Sequence, residues 1–401
     1  MSDTDRITLL CISSYFKGEA FLQEAQQQGC HVMLLTEDKL TDAPWPRESI
    51  DEFLTTPDLT NADWVMNTVA YLCRSRQIDR IVPLDEYDVQ MAAALREHLR
   101  LPGMGESATR FFRDKLAMRM RTSAAGIAVP AFAPVFNYDR LRAYMEQVAP
   151  PWVLKPRTEA GAMGIRKIDS AEQLWRSLDQ LGDRQSHFLL EHYVPGDVFH
   201  VDALTWDGEV VFDSVQKYGQ PPMNVAHEGG VFVTQLVDRS SPDVAALQAL
   251  NADVLRALGM VRGVTHAEYI KATDGRLYFL EVAARVGGAH IADLIEQATG
   301  LNLWAEWARL IVADIRGQTY QLPPFRTDYG GLLVCLSRQE YPDLSAYDDA
   351  EVVWRLHKQQ HAGLIVASPA YDRVQALLAA YAPRFAKDFL AVAPPKDRPT
   401  A

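Results

Sequence analysis

The chain has 401 residues, 48% hydrophobic and 23% charged, with a formal net charge of −12. Such a chain can bury a large core and divide into roughly two to three domains. Its acidic balance argues against a general nucleic-acid or anionic-membrane surface, since both need an excess of Lys and Arg. The opening MSDTDRITLL lacks a charged-then-apolar export pattern. Strand–helix alternation follows. Strands are predicted at Ile7–Ile12, His31–Leu35 and Arg80–Leu84, and helices at Phe16–Gln28, Ala62–Arg76 and Tyr87–Leu99. This spacing predicts a parallel sheet covered on both faces. No GxGxxG follows the first strand, so a dinucleotide site has no support. Leu101-Pro102-Gly103 closes the unit, and residues 1–108 are read as one α/β domain.

From residue 109 the pattern becomes α+β. A helix is predicted over Arg110–Ala125, stopped by Gly126 with Pro130 beyond. Apolar strands follow at Trp152–Pro156 and Ile165–Ile168 and from Phe188 to a stop at Pro195-Gly196, and Asp207-Gly208 and Asp274-Gly275 are two-residue turn signals. Helices are expected at Pro242–Leu258 and around His290–Ile315. Residues 109–316 are read as two α+β lobes. Residues 317–401 are read as a subdomain packed on the second lobe, with strands at Gly330–Leu336 and Gly363–Ala367. A helical segment at Tyr371–Leu390 should be interrupted by Pro383, and the tail from about 391 should be disordered. No apolar run approaches the ~18 residues of a membrane span. Cys11, Cys30, Cys73 and Cys335 form no CxxC spacing, which fits a reducing, cytoplasmic setting without disulfides.

The chemistry concentrates in the stretch from Thr265 to Gly288. With Asp274-Gly275 as a two-residue turn, Thr273 faces Arg276, and further out Glu268 faces Glu281. Directly opposed residues have Cβ atoms ~4.5–5.5 Å apart. Two carboxylates there repel, which should raise one pKa, and a divalent cation relieves the repulsion. Solvent exposure of both glutamates is the alternative. Arg285, emerging just beyond, can grip a carboxylate or phosphoryl group, or simply balance the two glutamates. Lys155 ends an apolar strand, where an anion would offset its burial. The small-residue loop 157–165 after it, including Gly164, lets backbone N–H groups approach a phosphate; an ordinary hairpin connection is equally consistent with it. Lys115 lies on the helix that opens the second unit. Phe188–Glu191, followed by Tyr193 and Val194, offers one carboxylate and backbone groups. The polar, glycine-rich segment Lys217–Gly230 suits a mobile binding loop. Lys217 and His227 within it, and His266 beside Glu268, are the substrate-side candidates.

This succession of a helical Lys, a strand Lys with a glycine loop, a strand ending in Glu, and two opposed glutamates before Arg resembles the ATP-grasp superfamily. The resemblance covers roughly residues 1–390, with the first unit similar to the pre-ATP-grasp domain. It implies ATP and Mg²⁺, with Mn²⁺ as a substitute. Lys115 and Lys155 would contact phosphates, Glu191 the adenine amino group, and Tyr193 and Val194 its edge. Asp197 would approximate the ribose carboxylate, whose usual place is taken by Val198. Glu268 and Glu281 would hold the metal, and Arg285 would be catalytic. Thr265–Glu268 and Glu281–Gly288 resemble the carboxylate–amine ligases that join amino acids, although Ala283 stands where many members have Asn. The implied partners are a small carboxylate and an amine; the class also admits a homodimer, a thiol or protein side-chain acceptor, or nucleotide binding without turnover.

Overall fold

A computed structural model of the chain describes residues 6–223, 225 and 229–392. Its first unit is a parallel sheet of β1 (Thr8–Ser13), β2 (His31–Glu37), β3 (Glu52–Thr56) and β4 (Arg80–Pro83), in the order β3-β2-β1-β4. Successive residues of a strand point to opposite faces, and here both faces are buried. Leu9 and Cys11 pack with Phe21, Leu22 and Ala25 of the helix Glu19–Gln27. Leu10 and Ile12 pack with Val65, Val69 and Leu95 of the helices Ala62–Leu72 and Val89–Leu99. β3, only 5 residues long and half polar, is the strand that sequence pattern misses.

A second, antiparallel sheet contains β5 (Phe132–Pro134), β6 (Trp152–Pro156), β7 (Arg166–Ile168) and β8 (Phe188–His192), in the order β5-β8-β6-β7. The third sheet has eight strands. These are β9 (Gly196–Trp206), β10 (Glu209–Tyr218), β11 (Phe232–Leu236), β12 (Gly263–Ala272), β13 (Leu277–Ala283), β14 (Tyr329–Leu336), β15 (Val352–Arg355) and β16 (His361–Ser368). Its order is β13-β12-β9-β10-β11-β14-β16-β15, so the strands after residue 317 continue the sheet of the second lobe.

Three local expectations are corrected. The helix expected over Arg110–Ala125 begins only at Lys115, because the Asp114 side chain caps it by accepting from Leu116 and Ala117 N–H. Arg110–Phe112 is a separate short 3₁₀ turn. The helical stretch around His290–Ile315 divides at Gly300 (φ +81°) into Ile291–Thr299 and Leu303–Ile315. Pro383 does not interrupt the last helix, which runs from Tyr371 to Asp388. An interior proline costs about 3 kcal/mol. Burial of Leu377, Leu378, Tyr381 and Phe385 against Leu333, Leu364 and Val366 of β14 and β16 outweighs that cost.

The first unit is fastened to the rest by the helix Leu303–Ile315. Phe21 meets Trp307 edge-on at 5.3 Å between ring centroids, and Arg309 binds both carboxylate oxygens of Glu24 at 2.8 and 2.9 Å. Among the described residues no helix is long and apolar enough to cross a membrane.

Candidate active site

The β12–β13 hairpin brings Glu268 directly opposite Glu281, as the sequence predicts, but by another route. The connection is a three-residue loop, Thr273-Asp274-Gly275, closed by Ala272 N–H donating to Arg276 O at 2.8 Å, with Gly275 at φ +85°. Ala272 and not Thr273 therefore faces Arg276. Near the turn the register is one residue out, with Tyr269 opposite Phe279, and a bulge between Glu268 and Tyr269 restores it. Asp207-Gly208, by contrast, is a two-residue turn with both residues at positive φ and Trp206 opposite Glu209.

A cleft opens between the second sheet and the β12–β13 edge of the third. Lys115, Lys155, Glu191, Tyr193, Val194, Glu268 and Glu281 all line it. Its apolar walls include Val153, Met163, Ile165, Val198, Ile270 and Leu280. Lys115, the first residue of its helix, places its ammonium 2.5 Å from the Glu159 carbonyl and 3.2 Å from Glu281 Oε2. The loop carrying Glu159 turns at Gly161 (φ +64°) and Ala162 (φ +59°), and both line the cleft. Gly164 stands behind it, with its α-carbon so close to the Pro156 ring that an added Cβ would fall 2.9 Å away.

Glu191 is buried between two cations, Lys155 Nζ at 2.5 Å and Arg119 Nε at 2.5 Å. Burial pushes its carboxyl up, but Arg119 and Lys155 outweigh burial and hold it below its ordinary value. For Lys155 burial dominates and lowers its pKa. Sequence reasoning missed Arg119. The available signal was its spacing, one helical turn after Lys115 and so on the same helix face.

The Glu268 side chain accepts from the Tyr218 hydroxyl at 2.8 Å and lies 3.7 Å from His266 Nε2. Burial pushes its carboxyl up, yet His266 and Tyr218 outweigh burial and lower it. The rise expected from repulsion with Glu281 is thus corrected at Glu268 by His266, two residues away on the same strand, and by Tyr218 of β10. His266 is itself buried, and its Nδ1 lies 2.9 Å from Asp202 Oδ1. The other Asp202 oxygen meets His200 Nδ1 at 2.7 Å, and His200 Nε2 meets Thr234 Oγ1 at 2.8 Å. Burial pulls the His266 pKa down, but Asp202 outweighs it and raises the group to about 9.

The other predicted residues sit elsewhere. Arg285 is outside the cleft lining; its guanidinium binds Glu86 Oε2 at 2.8 and 3.1 Å and the Val286 carbonyl at 3.0 Å. Glu86, from the turn after β4, also meets Arg113 at 3.3 Å. Burial pushes Glu86 up, but Arg285, Arg113 and Lys115 outweigh it and bring its pKa to about 2. Asp197 is exposed and paired with Lys217 at 2.7 Å, so each occupies the other's charge outside the lining. His227 lies outside the described residues.

The chain matches the ATP-grasp domain over residues 148–293 and the ATP-grasp N-terminal domain over residues 22–103. The chain belongs to the ATP-grasp superfamily. It is 27% identical over 269 residues to the L-arginine-specific L-amino acid ligase of Bacillus subtilis, covering 65% of this chain and 64% of that protein. It is 22% identical over 189 residues to the D-alanine–D-alanine ligase of Neisseria gonorrhoeae (strain NCCP11945), covering 45% of this chain and 60% of that one. These matches span less than two thirds of either relative's length. Among solved structures it is similar to an L-amino acid ligase from Bacillus licheniformis, with TM-score 0.77 and 17% identity over 96% of this chain and 98% of that one. N5-carboxyaminoimidazole ribonucleotide synthetase from Thermus thermophilus gives TM-score 0.72 and 16% identity over 96% and 99%. At these identities the structural likeness shows the fold.

Proposed function

We propose that this chain is an ATP-dependent ligase that activates a small carboxylate and couples it to an amine, with amino acids as the substrate class. The observation that carries this reading is the opposed Glu268–Glu281 pair, facing two lysines across one cleft. Two opposed carboxylate groups and open space beside them form a donor set that suits Mg²⁺, which takes one or two carboxylates together with phosphate oxygens. When bound, the ion supplies charge neutralisation on the phosphates. Lys115 and Lys155 hold the phosphate chain, and the backbone of Tyr193 and Val194 borders the adenine. Glu191 fixes Lys155 and approaches the adenine amino group. Asp197 would serve the ribose only by leaving its ion pair with Lys217 outside the cleft lining.

In the first half-reaction a substrate carboxylate oxygen attacks the γ-phosphorus, the bond to the β,γ-bridging oxygen breaks, and ADP leaves. In the second, the amine nitrogen attacks the acyl carbon, inorganic phosphate departs, and the nitrogen loses a proton. Arg285, held by Glu86 at the boundary with the first unit, is assigned as the charge partner of the carboxylate or the transferred phosphoryl group, which it would meet only by yielding part of its present hydrogen bonding. Lys217 and His227 belong to the segment assigned to the acceptor side. A reducing, cytoplasmic setting accompanies this reading, supported by the free thiols of Cys11, Cys30, Cys73 and Cys335.

The test joins phosphate release, screened over amino acids singly and in pairs, with thermal unfolding in Mg-ATP. A ligand at 100 times its Kd stabilises by about 2.7 kcal/mol. Glu268→Gln and Glu281→Gln should abolish turnover and most of that stabilisation while leaving the unliganded fold intact. If both variants keep wild-type turnover and the full Mg-ATP shift, the reading fails.

A further inference from the structure

A second cavity, of about 520 Å³, lies where the edge of the first sheet meets the third sheet and the helix Leu303–Ile315. β4 is last in the order β3-β2-β1-β4, and its residues Arg80 to Pro83 form one wall. An edge strand presents backbone N–H and C=O groups that no further strand takes up. Residues 102–105, residues 260–264, and Trp307 with Ile311 supply the other walls. None of these residues lines the cleft that holds Glu268 and Glu281. The volume suits a small organic molecule, for which pockets of about 300–1,000 Å³ are usual.

Much of the lining is apolar, including Met104, Met260, Val261, Trp307 and Ile311. Three arginines line the same space, Arg80, Arg96 and Arg262. Two of them are neutralised. Arg80 meets Asp314 Oδ2 at 2.8 Å, and Arg262 pairs with Asp207 as well as with Asp314. Arg96 has only carbonyl partners. Its Nε and one terminal nitrogen donate to the Ile81 carbonyl at 3.0 and 2.6 Å, and the other terminal nitrogen donates to the Met104 carbonyl at 3.1 Å. A guanidinium has five N–H donors, so among the described residues one on each terminal nitrogen is unspent. Burial and then the Arg80 charge lower its pKa to about 10, and no carboxylate opposes them. Gly103, at φ +134°, packs on the arginine stem so closely that an added Cβ would fall 2.8 Å from Arg96 Cδ. The chain thus holds a cation without a counter-charge beside an apolar cavity.

We propose that this cavity binds a small carboxylate with an apolar body, its oxygens accepting from the unspent N–H groups of Arg96 and its body resting on Met104, Met260 and Trp307. A carboxylate brings two acceptor oxygens to a guanidinium and the one negative charge that Arg96 lacks. A phosphate, with nearly two charges, finds one uncompensated cation to meet it. A neutral molecule leaves Arg96 uncompensated in apolar surroundings, which is costly. The position also gives an occupant a route to the cleft. Ala284 lines the cavity, and Glu281, three residues earlier, lines the cleft. β4 leads from Arg80 to the turn bearing Glu86, which holds Arg285. An occupant therefore packs against both segments that this ion pair joins, as an effector would.

The experiment titrates phenylbutyrate, phenylbutyramide and inorganic phosphate into the full chain and follows methionine-methyl NMR signals. Met104 and Met260 report the cavity, and Met163 reports the cleft. Phenylbutyrate should shift Met104 and Met260 and leave Met163 in place. The amide and phosphate should bind more weakly by about 10-fold or more. Arg96→Gln should weaken phenylbutyrate by a similar factor and leave the amide unaffected, with far-ultraviolet circular dichroism unchanged. Val261→Glu, at an exposed position of the lining, adds a negative charge without altering Arg96. It should weaken phenylbutyrate more than the amide, and it decides the matter if Arg96→Gln does not fold. Silence of Met104 and Met260 up to about 10 mM phenylbutyrate, or shifts at Met163 alone, overturns the proposal. So does equal affinity for acid and amide, or unchanged phenylbutyrate binding in a folded variant.

Discussion

Glu191→Gln is the sharpest probe of how the cleft is held together. The carboxylate sits 2.5 Å from both Arg119 and Lys155, and the Arg119 side chain is 0% exposed. The variant keeps the shape and removes the one negative charge between two buried positive ones. Breaking a buried ion pair by removing one partner costs about 3–5 kcal/mol, because the remaining charge is left uncompensated. Arg119 cannot shed its proton. Lys155 can, and burial already lowers its pKa. Loss of Glu191 lowers it further, so the folded variant binds fewer protons than the unfolded chain below the ordinary lysine pKa. Its stability then rises with pH, and the deficit against wild type shrinks toward alkaline conditions. Adding Arg119→Met removes the second stranded charge. The double variant should therefore be less destabilised than the sum of the single ones, with a coupling of 1 kcal/mol or more on the order seen for contacting residues. The assay is urea unfolding of wild type, both single variants and the double at neutral and alkaline pH. Additive effects, or a Glu191→Gln cost below about 1 kcal/mol, would show that the three groups do not act as one buried unit.

Two further predictions concern pH. Glu86 falls from an ordinary 4.5 to about 2 in the folded protein, so the stability it contributes is present above 4.5 and lost as pH falls toward 2; the shift corresponds to about 3 kcal/mol, and the gap between wild type and Glu86→Gln in acid-unfolding curves should close over that window. Asp88 behaves oppositely: burial first, with the charges of Asp85 and Glu37, raises it from 3.8 to about 7 although Ser14 donates to both its oxygens. Its ionisation removes stability as pH rises through that range, so Asp88→Asn should stabilise the protein at pH above about 7, by up to about 4 kcal/mol, and leave it unchanged below 3.8; a stabilisation independent of pH would refute the assignment.

What the sequence could show depends on how far apart the interacting residues are along the chain. The parallel first unit is legible because β1 and its neighbours read as short apolar runs between helical periods, with Leu9–Ile12 buried on both faces. The opposed glutamates are legible because a hairpin is local. Even there, the two-residue turn and the three-residue turn with a bulge give the same pairing at Glu268 and Glu281, so the outcome could be read without the mechanism. The Asp202–His266 contact joins residues 64 apart, and Arg285–Glu86 joins residues 199 apart. No periodicity reports such contacts. Arg119 was hidden for another reason: a charged residue in an amphipathic helix is ordinarily solvated, and only tertiary packing reveals that this one is not.

The kind of cation beside each carboxylate separates scaffold from site. Glu86 is held by Arg285 and Arg113, and Glu191 by Arg119 together with Lys155. Guanidinium groups stay charged at every accessible pH and bind carboxylates in a fixed fork, so these pairs are permanent. Among the described residues, Glu268 and Glu281 have no arginine in their ion pairs. Their neighbours are His266 at 3.7 Å and Lys115 at 3.2 Å. An imidazole ring, or a lysine on a flexible stem, holds a carboxylate less rigidly than a guanidinium fork does. The counter-charges at this one pair are therefore exchangeable, while those around it are fixed. On the proposed reading, a pair that accepts an ion and nucleotide phosphates and later gives them up would need that difference between its own neighbours and those of Glu86 and Glu191.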